Sequence, residues 1–146
     1  MAEASFSKDE KARIKAAIEK AELNTSGEIR VHLENHCSKA NVLDRAAQVF
    51  AQLDMHKTAA RNGVLVYMAV KDHKFAIIGD AGINAKVAED FWDVTKEKML
   101  AHFKAGNLTV GLEEGILCAG ERLKEFFPYQ KDDKNELSDD ISFGKN

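Results

Sequence analysis

Seven consecutive apolar residues, Val64-Leu65-Val66-Tyr67-Met68-Ala69-Val70, constrain the fold more than any other stretch. The run is too short for an independent helix and rich in β-branched types, so it reads as a strand buried on both faces. Four polar residues, Lys71-Asp72-His73-Lys74, separate it from a second strand, Phe75–Ile78, which runs into Gly79-Asp80-Ala81-Gly82. So short a connection makes the pair an antiparallel hairpin. The hairpin returns Asp80 to the side of Arg61 and Asn62, and chemistry is expected there.

The segments upstream supply the neighbours. Ser7-Lys8-Asp9-Glu10 forms a capping box, and Ile14, Ile18 and Ala21 mark the buried stripe of the helix it opens. Glu28–Glu34 alternates strictly. Ile29, Val31 and Leu33 face one way; Glu28, Arg30, His32 and Glu34 face the other, which predicts a strand at or near a sheet edge with one dry face. A helix over Asn41–Asp54 links this strand to the apolar run, so the two should lie parallel across a right-handed crossover. Beyond the hairpin, the spacing predicts a helix from Asn84 or Ala85 through Phe103. A last helix runs from Leu108 to about Phe126, and Pro128 forbids its continuation.

The order α-β-α-β-β-α-α implies an α/β fold, a three-layer α/β/α sandwich around a small mixed β-sheet. One domain is expected over residues 1–130, followed by a polar, mildly acidic tail over 131–146. Disorder of the tail is the first expectation, and docking of its isolated Leu137, Ile141 and Phe143 the second. A formal charge of −3 and a pI near 6.0 give no basic footprint for nucleic acid. Two cysteines make no disulfide framework, and no apolar run approaches the ~18 residues that cross a bilayer. With no signal peptide legible, a cytoplasmic location is expected.

Chain direction decides which residues can meet. Parallel strands starting at Glu28 and Val64 put Gly27-Glu28 and Arg61-Asn62-Gly63 on one rim, and the hairpin returns Gly79-Asp80 to it. The following helix would start there too, with Glu89 and Asp93 sharing a face at i and i+4. Glu28, Asp80, Glu89 and Asp93, with the Asn62 amide oxygen, form the kind of oxygen-rich set that Ca²⁺ or Mg²⁺ takes. Arg61 could pair with a carboxylate or hold a phosphate, while Gly63, Gly79 and Gly82 let the backbone approach closely. The same pattern also has a purely structural account. Acids early in a helix serve its dipole, Glu28 and Asp80 can be solvated strand ends, and Arg61–Asp80 can be an ordinary ion pair. His36-Cys37 falls near Asp72-His73 at the opposite end, too few ligands for a soft-metal site.

Three segments together resemble the TPM domain family, which includes bacterial proteins and a thylakoid-lumen protein linked to photosystem II repair. They are the Ser26-Gly27-Glu28-Ile29-Arg30-Val31 strand, the Asn62-Gly63-Val64-Leu65 and Ile78-Gly79-Asp80-Ala81-Gly82-Ile83 strand ends, and Phe103 through Gly106, Gly111 and Gly115. The resemblance covers about Glu10 to Phe126. It implies an α/β/α sandwich, a divalent-metal site with Asp80 as its first candidate, and an acid-phosphatase activity attributed to some members. Ala4-Ser5-Phe6-Ser7 stands where members commonly carry an aspartate-bearing segment. The first expectation is therefore a divalent-cation module, most simply for Ca²⁺, with a binding or regulatory role and a protein partner possible. The alternative is a metal-assisted phosphomonoesterase.

Overall fold

The computed structural model describes residues 2–130 and 136–144. After a short 3-10 turn at Ala2–Ser5, the elements are α1 (Lys8–Ala21), β1 (Glu28–Glu34), α2 (Val42–Gln52), β2 (Gly63–Ala69) and β3 (Lys74–Gly79). There follow α3 (Ala81–Asn84), α4 (Asp93–Lys104), α5 (Leu108–Leu123) and β4 (Ser142–Phe143). The sheet order is β3-β2-β1-β4. β1 and β2 are parallel, with Glu28 opposite Gly63 and Glu34 opposite Ala69, and β2–β3 is the antiparallel hairpin.

Alternation along the strands divides the core in two. Ile29, Val31, Leu33, Val64, Val66, Met68 and Ile77 pack with Ile14 and Ile18 of α1 and Leu112 and Ile116 of α5. On the other face Leu65, Tyr67, Ala69 and Ala76 receive Ala46 and Val49 of α2. Helices on both faces of a mixed sheet make the expected α/β/α layers. The Ser7–Glu10 capping box is present with both of its hydrogen bonds, at 2.9 and 3.0 Å.

Two expectations require correction. β1 lies next to the sheet edge, as expected, but its far side is covered where Ser142 and Phe143 pair in parallel with His32 and Leu33. Its polar face is not solvated either: Glu28, His32 and Glu34 are buried. The described part of the tail is therefore docked, with Leu137 only 9% exposed, whereas residues 131–135 and 145–146 lie outside the described residues. The second correction concerns the helix expected from Asn84 to Phe103. Asp80 caps a single helical turn, α3, and turns occupy 85–92 before α4 begins at Asp93. Phe91 and its neighbour Trp92 are both buried, edge to face at 4.7 Å. The Phe91 carbonyl accepts from Arg122 Nε at 3.0 Å, and the guanidinium covers the Phe91 ring. Burying adjacent bulky side chains and giving that carbonyl to a side chain both oppose a continuous helix.

Candidate functional site

Three segments meet at the rim where β1 and β2 begin. Glu28 N donates to Asn62 O at 3.1 Å, Asp80 N to Gly63 O at 2.9 Å and Gly82 N to Arg61 O at 2.8 Å. A Cβ on Gly82 would lie 2.1 Å from the Ala60 carbonyl oxygen, so this crossing of backbones requires glycine.

Asp80 is 7% exposed and fully engaged. Arg61 Nε donates to Oδ2 at 2.7 Å and Nη2 to Oδ1 at 2.8 Å, while Ala81 N, in the first turn of α3, donates to Oδ1 at 2.7 Å. Burial works to raise its pKa, but the Arg61 fork and the Ala81 amide outweigh it and hold the carboxyl below its usual range. Asn62 donates through Nδ2 to Ser26 O at 3.0 Å, yet its Oδ1 is buried without a partner.

The structure thus gathers Glu28, Asp80, Arg61 and Asn62. Glu89 and Asp93 do not share a helix face: both are exposed, Glu89 in the turn after α3 and Asp93 at the start of α4, 3.8 Å from Lys96. Among the described residues no three His, Cys, Asp or Glu side chains are disposed as a ready metal-ligand group.

Glu28 instead belongs to a carboxyl cluster whose other members sequence reasoning missed. It is 4% exposed, and one of its oxygens accepts the Glu136 amide. Glu22, at the C-terminal end of α1, accepts the Ile29 amide at 3.2 Å, and its carboxyl lies beside those of Asp139 and Glu28. Asp139 Oδ1 is buried with no partner. Burial, followed by the neighbouring Asp139 carboxyl, pushes Glu22 up to about 10, and burial also raises Glu28. Glu136 ties this corner down by accepting Ala59 N at 3.1 Å, and Lys15 holds Asp140 at 2.8 Å. The only sequence signal for it is the isolated apolar Leu137, whose docking carries the acids in.

At the other end of β1, Glu34 is wholly buried. Arg45 donates to it twice, from Nε and Nη2, each at 2.8 Å; the Tyr67 hydroxyl also donates, and His32 Nε2 lies at 3.2 Å. His32 Nδ1 meets Ser142 Oγ at 2.9 Å. Beyond it, Asp72 bonds His36 Nδ1 at 2.9 Å and the Cys37 amide at 2.7 Å, the proximity expected for that end.

The TPM domain family model matches residues 2–122. No curated protein matches the chain. Among solved structures, the BA42 protein from the psychrophilic bacterium Bizionia argentinensis is 50% identical, with a TM-score of 0.89 over 95% of each chain. The N-terminal domain of a P. gingivalis protein shares the fold at 18% identity and TM-score 0.68, over 84% of this chain and 78% of that one. The N-terminal domain of the Corynebacterium glutamicum protein cg2496 does so at 11% and 0.62, over 98% and 82%. Sequence pattern, layer order and rim geometry agree with the family match, and the chain belongs to the TPM domain family.

Proposed function

We propose that this TPM domain is a binding or regulatory module that takes a divalent cation, Ca²⁺ before Mg²⁺, at the Glu28 rim. The observation carrying this reading is the contact among the Glu22, Glu28 and Asp139 carboxyls, with an orphaned buried oxygen on Asp139. Clustered carboxyls need a counter-charge. A hard cation with oxygen preference would supply it, so these residues suit one. The ligands would be Glu28, Glu22 and Asp139, whose side chains must re-aim toward a common centre. Asp80 contributes indirectly: both its oxygens are taken, and it anchors Arg61 and α3 beside the rim.

Amide shifts during CaCl₂ and MgCl₂ titration test the reading. Changes are expected at 22, 28–29, 62–63 and 136–139, with proton release on binding and affinity rising with pH. Shifts scattered elsewhere, or none at millimolar Ca²⁺, would overturn it. Glu28→Gln should weaken binding most, Asp80→Asn less, and Asp72→Asn at the far end should have no effect. Assay of p-nitrophenyl phosphate hydrolysis with and without chelator separates this module from a metal-assisted phosphatase. Arg61 is committed to Asp80 through Nε and Nη2, so no chelator-sensitive turnover is expected.

A further inference from the structure

The hairpin end of the sheet, opposite the carboxyl rim, holds a cleft of about 650 Å³ between the β2–β3 turn and the α4–α5 junction. Clefts that bind small molecules commonly span about 300–1,000 Å³. The apolar wall comes from Met68, Val70, Phe75, Leu100, Phe103 and Leu108. Phe75 and Phe103 meet edge to face at 5.0 Å and are only half-buried, and Leu100 is 40% exposed. Leu100 follows the fully buried Met99 on α4, so it turns away from the α4–α5 contact and toward the cleft.

The charged part of the lining is one-signed. Lys71, His73 and Lys74 come from the turn and Lys104 from the last turn of α4, and among the described residues no acid lines the cleft. The chain as a whole carries a formal charge of −3, so this wall departs from the average surface. Lys71, His73 and Lys104 are exposed, while the aromatic pair lies half-buried. Cations outside and apolar surface within complement a molecule with an anionic head and an apolar body. A lysine ammonium, as a rotatable point charge, suits a carboxylate without needing the fixed fork of arginine.

We propose that this cleft binds a small amphipathic carboxylate, its apolar chain against Phe75, Phe103 and Leu100 and its head among Lys71, Lys74 and Lys104. This assignment is independent of the cation reading, which concerns the other end of the sheet. Titration with sodium decanoate below its micelle concentration, followed by amide shifts, is the test. Shifts are expected at 68–75 and 100–108, with decanol and butyrate each binding more weakly. The K74Q/K104Q double variant should weaken decanoate by about fivefold, the worth of two exposed charges, and leave decanol unchanged. Leu100→Glu, on an exposed wall where the fold tolerates it, should abolish decanoate shifts. Decanol equal to decanoate, a lysine-insensitive affinity, or shifts mapping outside the cleft would each overturn the proposal.

Discussion

Glu28 and Glu34 are the first and last residues of one strand, point to one face of the sheet, and are 4% and 0% exposed. Their carboxyls nevertheless shift in opposite directions. Burial opposes the charge of both. At Glu34 the hydrogen bonds from Arg45, Tyr67 and His32 overturn that effect and the pKa falls; at Glu28 burial prevails and it rises. Company, more than depth, decides whether a buried acid is an anion. One end of β1 is a completed ion pair, and the other is a cluster of acids.

The largest break in this contrast comes from Arg45→Met, which strands a buried anion. It should cost about 3–5 kcal/mol in urea unfolding at pH 7, and Glu34→Gln in the same chain should restore much of it. Next is Gly144→Ala. The added Cβ would meet Glu34 Oε1 at 2.6 Å, so the tail must shift and about 1–3 kcal/mol should be lost, together with protection of the Gly144 amide that donates to Leu33 O.

Glu22→Gln reverses the sign. A raised folded pKa means that stability is full below the unfolded carboxyl pKa and is lost as pH climbs toward about 10. Glutamine mimics the protonated form. In chelator the variant should match the parent at pH 4 and exceed it by about 1 kcal/mol at pH 8, read as two melting temperatures that separate as pH rises. The opposite end should respond to acid. Glu34 is depressed, so its contribution disappears as pH falls through its folded pKa, and His32, lowered by desolvation, costs stability once pH drops below the unfolded histidine value. Amide signals of Ser142–Gly144 should therefore broaden near pH 5 while Glu136–Asp139 stay sharp. The smallest effect belongs to Asp72→Asn on the hairpin turn, where the urea midpoint should move least of the set.

Local pattern made much of this legible. The Val64–Val70 run, the four-residue turn and the Glu28–Glu34 alternation each encode their own partner and direction, so the meeting of Glu28, Asp80, Arg61 and Asn62 followed from them. The break at 85–92 was hidden because Val87, Phe91 and Trp92 also fit a helical spacing; only the Arg122 contact, distant in sequence, distinguishes the two. Glu22 and Asp139 were hidden for a related reason. Carboxyls brought together from distant segments leave no periodicity, and an acid beside a helix end or in a polar tail resembles an ordinary solvated one. Burial of the polar face of β1 depended on Arg45 from a different layer, which alternation alone reads as solvent.

Docking of β4 has a consequence for association. The family match ends at residue 122, whereas the strand that closes the sheet lies at Ser142–Phe143. Without that short seal the amides and carbonyls of β1 would stand open as a template, and a second molecule could lay its own strand there. The last segment thereby covers that edge at His32 and Leu33.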